Sequence, residues 1–362
     1  MTPAFWENRR VLITGHTGFK GSWLALWLDR LGAQVTGYAL APVNAPNLFE
    51  LAGVGSHVQS VFADIGHLDS VRNAIRDTCP EIVFHLAAQS LVRESYRAPV
   101  DTLATNIMGT ANLLEAVRTS NSIRAVVVVT SDKCYENREQ QAGYRETDPM
   151  GGHDPYSSSK GAAELVASSY RRSFFDTPES PAIATARAGN VIGGGDFAAD
   201  RLLPDCVRAL AQGQSVSIRN PDSTRPWQFV LEPLAGYLTL AERLVLGGRA
   251  YAEPWNFGPS EDETYSVRWL CERFASVLAD CSGTHLELQV ATNPGRHYEA
   301  QFLRLDIAKA RQRLHWQPAL TVDDAVSMTA SWYAEYLNGG DLLELTLTQI
   351  EQYQSFVPRL GA

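Results

Sequence analysis

Lysine is nearly absent from this chain. Of its 31 basic residues only Lys20, Lys133, Lys160 and Lys309 are lysines, leaving 27 arginines. Solvated positive charge is therefore supplied by Arg. The few lysines become candidates for tasks that need a compact ammonium with a movable pKa, which a guanidinium does not provide. A basic surplus is also lacking: the formal net charge is −9, which argues against a nucleic-acid-binding surface but leaves room for a locally basic anion site. Cysteine is sparse and scattered. Cys79, Cys134, Cys206, Cys271 and Cys281 form neither a metal-ligand spacing nor an even disulfide framework, and reduced thiols in a cytoplasm are the simple reading. No apolar run approaches the ~18 residues of a membrane span, and residues 1–10 carry no apolar signal segment. No internal repeat and no low-complexity stretch occurs. These absences point away from nucleic acid, membrane and bound metal.

What is present is ordinary in bulk. The chain has 362 residues, 45% of them apolar and 20% charged, enough for two domains or for one large α/β domain with a lobe. The informative stretch is 126–160. It begins with four valines, Val126 to Val129, the β-branched pattern of a strand buried on both faces inside a parallel sheet. That run ends in Thr130-Ser131-Asp132-Lys133-Cys134-Tyr135. Ligands of open α/β sheets sit outside the carboxyl ends of the strands, so Ser131, Asp132 and Lys133 are expected to face one. A loop rich in Gly, Pro and charge follows, and a helical pattern starts at Tyr156. Tyr156 and Lys160 then share one helix face, a turn apart. A tyrosine near pKa ~10 is a poor base at neutral pH, and a neighbouring ammonium favours its phenolate. Such a pair suits removal of a proton from a sugar or steroid hydroxyl during oxidation of the carbon that bears it. A surface helix with two unrelated residues is the plainer alternative.

Taken in order, Arg10–Gly15 reads as a short buried strand running into Gly15-His16-Thr17-Gly18-Phe19-Lys20-Gly21. Trp23, Leu24, Trp27, Leu28 and Leu31 then recur at helical spacing. Strand, glycine loop and helix in that order suit a dinucleotide: Gly15 for the turn, Gly18 for backbone approach to a pyrophosphate, Gly21 for helix packing, and the helix N-terminus for its positive field. The strand Gln34–Leu40 ends in Tyr38-Ala39-Leu40, with no acid for an NAD ribose and no nearby Arg or Lys for a 2′-phosphate, so this element leaves cofactor choice open. Val58–Ile65 reads as a third strand whose Asp64 suits either an adenine amine or a helix cap. Helices are expected at 69–79 and 102–120, with a strand at 81–88 between them.

This alternation continues to residue 190 and indicates a doubly wound parallel (Rossmann) sheet in an α/β protein, with a smaller, mostly C-terminal α/β substrate-binding lobe. Residues 1–190 form the dinucleotide domain, 191–362 mainly the lobe, and parts of 225–260 return to the first domain. Arginines between 201 and 225 suit phosphates, or else form a solvated basic face. Helices are further expected at about 267–278 and 322–337 and within 339–362, with a strand near 285–291.

Read together, Gly15-x-x-Gly18-x-x-Gly21, Asp64-Ile65, His85-Leu86-Ala87-Ala88, Asn106 with Gly109-Thr110, Tyr156-x-x-x-Lys160, Arg187-x-x-Asn190 and Trp316-x-Pro318 resemble the extended short-chain dehydrogenases/reductases, nearly end to end. That group includes nucleotide-sugar epimerases, decarboxylases and 4,6-dehydratases. In the dehydratases the strand-end triplet is typically Thr-Asp-Glu. Here the acid is kept and Lys133 replaces the glutamate, which, with Thr14–Ser22, Arg187–Asp196 and Arg225-Pro-Trp-Gln228, resembles the dehydratases that act on CDP-glucose.

The resemblance implies NAD as cofactor, a homodimer, CDP-glucose as substrate and a role in deoxysugar synthesis. It implies cofactor contacts from Gly15, Thr17, Gly18, Phe19, Lys20, Gly21, Asp64, Ile65, Leu86, Ala87, Ala88 and Asn106, besides Tyr156 and Lys160. Candidate substrate contacts are Gln89, Asn190, Arg201, Arg219, Arg225 and His297. Catalysis falls to Ser131, Asp132, Lys133, Tyr156 and Lys160: Tyr156 takes the C4 hydroxyl proton with its pKa lowered by Lys160, Ser131 bonds the same hydroxyl, and Asp132 protonates the departing C6 hydroxyl. Lys133 stands where the related enzymes carry the C5 base, and acts either as a neutral base or as a cation beside the enolate. A nucleotide-sugar 4-epimerase would use the same Tyr–Lys pair without needing Asp132-Lys133, and a silent dinucleotide-binding scaffold would need none of these residues.

Overall fold

A computed structural model describes residues 2–42, 45–218, 220–290 and 302–357. Among these residues the main sheet has seven strands, all parallel. They are β1 (Arg10–Thr14), β2 (Gln34–Ala39), β3 (Gln59–Phe62), β4 (Ile82–His85), β5 (Ala125–Val129), β6 (Ala182–Arg187) and β7 (Pro254–Asn256), in the spatial order β7-β6-β5-β4-β1-β2-β3. β5 is the valine run, buried along its whole length, because helices cover both faces of a parallel sheet. The chain reverses direction across the sheet between β1 and β4. Crossover loops leave to opposite sides there and open a crevice at the strands' carboxyl ends.

Helix α1 (Phe19–Arg30) follows β1, and α2 (Leu68–Thr78) follows β3. The helix expected over 102–120 begins earlier and is not uniform. Pro99–Leu103 is α-helical, Ala104–Met108 is a π turn, and α3 (Gly109–Arg118) resumes the α pitch. The wider turn is where the buried Asn106 sits, and π turns of this kind recur at functional sites. Helix α4 (Pro155–Ser173) starts where sequence places it, because Asp154 caps it through the Ser157 amide at 2.9 Å and Pro155 supplies a first residue that needs no amide partner.

The second half is less regular. Helix α5 (Leu202–Ala211), which the sequence reading left as an arginine-bearing segment, is amphipathic. Helix α6 (Leu231–Gly247) passes under β5 and β6 and leads to β7, so this segment belongs to the main sheet. Helices α7 (Val267–Ser282), α8 (Val322–Asn338) and α9 (Leu342–Phe356) complete the chain, with Leu288–Val290 pairing with Val216–Ile218. One hydrophobic cluster runs from Trp6 to Tyr353 and includes both β5 and α8. The lobe therefore shares a core with the sheet: Trp27 of α1 meets Tyr353 of α9 edge-on at 5.6 Å.

Candidate active site

A cleft of about 1300 Å3 runs along the carboxyl ends of the strands. Drug-sized ligands occupy roughly 300–1,000 Å3, so this cleft has room for a dinucleotide and a second nucleotide-sized molecule. Gly15, Thr17, Gly18, Phe19, Lys20, Gly21, Asp64, Ile65, Leu86, Ala87 and Ala88 line one side, and Asn190, Arg201 and Arg225 line the other. Ser131, Asp132, Lys133, Tyr156 and Lys160 lie between them. Arg219 and His297 lie outside the described residues.

The glycine loop is shaped by close backbone contact. Gly15 has φ +81°, and a Cβ there would stand 2.7 Å from the Ala87 amide nitrogen. A Cβ on Gly21 would overlap the Gly15 carbonyl oxygen. No side chain caps the first turn of α1, so its amides and dipole face the cleft in the manner that receives a phosphate. Tyr38 at the end of β2 turns inward and donates to the Asp64 carbonyl at 2.8 Å. Asp64 caps no helix: Oδ1 accepts from the Gly66 amide at 2.8 Å, and the residue lines the cleft. The chain carries no Arg or Lys between Arg30 and Arg72, so this stretch supplies no cation for a 2′-phosphate. The uncapped helix start and the glycine cradle fit the pyrophosphate of NAD.

Gln89 and Asn106 do not line the cleft. Gln89 Nε2 donates to Leu91 O at 3.1 Å and Thr102 Oγ1 at 2.8 Å, while its Oε1 accepts from the Leu91 amide. Asn106 clasps the Gln89 backbone in both directions and donates to Ser159 Oγ at 2.8 Å. In this structure both residues brace the wall behind the cleft, joining the loop after β4 to α4.

At the end of β5 the chain turns sharply through Asp132–Cys134, with Ser131 as its cap, accepting from the Lys133 amide at 3.2 Å. The Ser131 hydroxyl donates to Asp132 Oδ1 at 2.9 Å, and Asn190 Nδ2 donates to Asp132 Oδ2 at 3.3 Å. Asn190 holds a left-handed φ of +52°. Gly189 beside it leaves room for the carboxylate, since a Cβ there would overlap Asp132 Oδ2. Lys133 is half-buried and, among the described residues, makes no side-chain hydrogen bond or ion pair. Lys160 Nζ donates to Val129 O at 3.3 Å, which seats the lysine under the end of β5.

The electrostatics differ from the sequence expectation. Burial pushes the Tyr156 phenol up to about 12, and the hydroxyl of Ser131, rather than Lys160, is the main group opposing that rise. Burial also pulls Lys160 down to about 8, with Glu164 opposing. Both side chains are enclosed, and enclosure penalises each charged form. Lys20 is likewise drawn down to about 8, by burial and then by Arg201.

Across the cleft, Arg201 pairs with Asp196 at 2.7 Å and reaches Ser90 Oγ at 3.2 Å, while Arg93 pairs with Asp200 at 2.7 Å. These two bridges join the loop after β4 to the loop before α5. Sequence reasoning named Gln89 on this loop but missed Ser90 and Arg93. The rule that ligands lie beyond the strand ends could have reached them by following the loop a few residues further. Arg208 turns away, donating to Phe197 O at 2.9 Å.

A parallel seven-stranded sheet with a glycine loop after its first strand, a strand-end hydroxyl and acid, and a Tyr–Lys helix face defines a dinucleotide-dependent enzyme of the short-chain dehydrogenase/reductase type. Residues 12–329 match the family described as GDP-mannose 4,6 dehydratase, and the chain belongs to that family. It is 46% identical over 359 residues, 98% of this chain and 99% of the relative, to a CDP-glucose 4,6-dehydratase of Salmonella typhimurium. Among solved structures it shares the fold of a UDP-glucose 4-epimerase from Stenotrophomonas maltophila with bound NAD (TM-score 0.78, 19% identity, 92% of this chain and 99% of that one). A dTDP-glucose 4,6-dehydratase from Bacillus anthracis in complex with NAD has the same fold (TM-score 0.75, 20% identity, 92% and 99%).

Proposed function

We infer that this protein is an NAD-dependent lyase that converts CDP-glucose to CDP-4-dehydro-6-deoxy-glucose. The observation that carries the reading is the juxtaposition of two chemistries in one cleft. Tyr156 and Lys160 suit oxidation of a hydroxyl-bearing carbon. The enclosed Asp132, held by Ser131 and Asn190, suits proton delivery to a leaving hydroxyl. An epimerase has no use for the second. The near-full-length likeness to a CDP-glucose 4,6-dehydratase supports the cytidine nucleotide.

When bound, NAD supplies a two-electron acceptor at C4 that is returned to its starting state at the end of the cycle. Ser131 donates to and orients the C4 hydroxyl. Tyr156 removes its proton, with the Ser131 hydroxyl the main group opposing the rise that burial imposes on the phenol and the ammonium of Lys160 a turn away. Oxidation at C4 acidifies the C5 proton, and Lys133 stands at the strand end either to take it as the neutral amine or, with another group taking it, to balance the enolate charge. Asp132 protonates the C6 hydroxyl, which leaves as water, and C6 is then reduced by the electron pair taken from C4 while C5 regains a proton. The hexose loses one water and undergoes no net redox change. Arg201 and Arg225 serve the substrate diphosphate.

Incubation with CDP-glucose and NAD should give a 4-keto-6-deoxy product by mass spectrometry and NMR, with no comparable turnover of UDP-glucose or with NADP. Recovery of only the C4 epimer would overturn the dehydratase reading.

The homodimer is supported by an apolar surface on two packed helical segments. Val100 (75% exposed), Leu103 and Met108 project from the 99–108 segment, and Leu165 (61%) projects from α4. A second copy of the chain is the occupant that buries them, and Val100→Asp with Leu165→Asp should yield a monomer in sedimentation. A cytoplasmic location is supported by five cysteines, none in a disulfide.

A further inference from the structure

Beneath the Tyr156–Lys160 pair lies a buried carboxylate that the steps above leave unused. Glu164 is 4% exposed and stands one further turn along α4, so Tyr156, Lys160 and Glu164 follow one another at intervals of four on the same helix face. Its acceptor positions are filled from β5 and β6. Oε1 accepts from Thr130 Oγ1 at 2.6 Å and Arg187 Nε at 2.9 Å, and Oε2 accepts from Thr185 Oγ1 at 2.7 Å and Arg187 Nη2 at 2.8 Å. The Arg187 contact is a two-pronged fork, the strongest geometry for such a pair. Arg187 is anchored in turn. Its Nη1 donates to the Tyr135 hydroxyl at 2.6 Å, its guanidinium lies 4.8 Å from that ring's centroid, and the same hydroxyl donates to Asn256 of β7 at 2.8 Å. One carboxylate thus ties the helix bearing Tyr156 and Lys160 to the residue immediately before Ser131 and to β6, and through Arg187 and Tyr135 to β7.

Cohesion alone does not call for an ion pair here. Burying two charges carries a large desolvation penalty, and apolar side chains of like volume hold such elements together as well or better. What the ion pair adds is a negative charge at a fixed place. Burial pushes the Glu164 carboxyl up, but Arg187 and the two threonine hydroxyls outweigh it and keep the group ionised. The groups facing Lys160 from the packed elements are few. Glu164 on its own helix and Cys134 after β5 favour the ammonium. His85 on β4 is held neutral at about 3 by burial and then by Lys160, and Lys20 on α1 is a second cation.

We propose that Glu164 is a positioning residue for C4 oxidation. Acting through Lys160, it is the counter-charge that keeps that side chain an ammonium near the Tyr156 phenol; acting through Thr130 and Arg187, it holds the helix face at the end of the strand that carries Ser131 and Asp132. This rests on the oxidation step assigned above, but its first test does not.

The scarcity of lysine makes that test direct. Protein labelled with 15N in its lysine side chains has four ammonium groups to follow, and Lys160→Met assigns one of them. In wild-type protein without ligands the Lys160 signal should titrate near 8. In Glu164→Gln its midpoint should fall by about one unit or more. The high-pH limb of single-turnover C4 oxidation should move down by the same amount, with KM within about twofold of wild type. Glu164→Gln leaves Arg187 without its partner, so Glu164→Gln/Arg187→Gln, which removes both charges, is the second variant and should show the same shift. An unmoved Lys160 midpoint in a folded variant overturns the proposal. Failure of both variants to fold also overturns it, because Glu164 would then be a folding residue. If the midpoint moves but CDP-glucose is not a substrate, the functional reading fails and the coupling of Glu164 to Lys160 stands.

Discussion

The two walls of the cleft are built by different means. The glycine-loop wall is made of backbone. Gly15 and Gly21 bring main chain against main chain, and the first turn of α1 presents its own amides. The lobe wall is made of side chains on loops, held across the cleft by Arg201 with Asp196 and Ser90 and by Arg93 with Asp200. A backbone wall tolerates almost no added atom but recognises only a generic group such as a diphosphate. A side-chain wall tolerates substitution one residue at a time and can be tuned to one substrate. The candidate catalytic residues sit where the walls meet, in the turn after β5 and on α4, with Ser131, Asp132, Tyr156 and Lys160 buried and Lys133 half-buried.

The largest expected effects come at that junction. Tyr156→Phe should lower C4 oxidation by about a thousandfold, since it removes the base. Asp132→Asn should still oxidise C4 and then stall before water loss. Rapid mixing with substrate distinguishes them: reduced nicotinamide absorbance stays absent in the first and accumulates in the second. No such signal in an Asp132→Asn protein that still binds substrate would place Asp132 in the oxidation step instead.

Lys133 tests the junction from its exposed side. Lys133→Arg should lose about a hundredfold in turnover although the charge is kept, because a planar guanidinium does not fill an ammonium's place. Lys133→Glu should recover part of the loss if the residue abstracts the C5 proton and none if the enolate needs positive charge. Loss of deuterium from C5 of labelled substrate is the measurement. Wild-type exchange in both variants would remove Lys133 from the reaction.

The walls themselves should break differently. Gly21→Ala forces its Cβ onto the Gly15 carbonyl oxygen, so NAD affinity should fall more than about tenfold by calorimetry and the thermal midpoint should drop with it, as overpacking costs roughly 1–3 kcal/mol. Arg201→Gln should raise KM for CDP-glucose by about tenfold while leaving NAD affinity near wild type. Equal losses of both ligands in either variant would show that the walls are not independent.

The smallest effect lies behind the lobe wall. Glu232 at the start of α6 accepts from the amides of Ala319 and Leu320 and from the Tyr353 hydroxyl of α9. Burial raises its carboxyl to about 7, against these bonds. The folded value stands above the unfolded one, so its stabilising contribution is present below about pH 4 and is lost as pH rises through about 7. Glu232→Gln should therefore raise the thermal midpoint at pH 8 by roughly 2 °C and change it little at pH 4. An unchanged difference between the two pH values would contradict the assignment.

Much of the glycine-loop wall was legible in the sequence because local patterns specify it. A β-branched run is a buried strand wherever it lies, glycine at fixed spacing marks close backbone approach, and a helical pattern from Tyr156 puts Tyr156 and Lys160 on one face by pitch alone. The catalytic candidates followed from the rule that strand ends face ligands, and all five line the cleft. Gln89 and Asn106 show the limit of that reasoning. Gln89 lies on the loop after β4 and Asn106 in the helix that follows it, but the π turn and the Thr102 hydroxyl turn their side chains into a brace, and no spacing in the sequence announces it. The lobe wall was the least legible, since Arg201 stands 111 residues from Ser90 and Asp200 107 residues from Arg93, and each pair meets only once the chain between has folded.

The sequence by itself determined the sheet, the glycine loop and the set of candidate side chains at the strand end, because hydrophobic period, helix pitch and turn chemistry are local properties. Only the tertiary structure decided how those side chains are charged and held. Enclosure lifts Tyr156 to about 12 and draws Lys160 to about 8, and the one carboxylate opposing the latter, Glu164, is fixed by an arginine 23 residues away. Desolvation and ion pairing depend on what surrounds a group in space, and no window of sequence contains that.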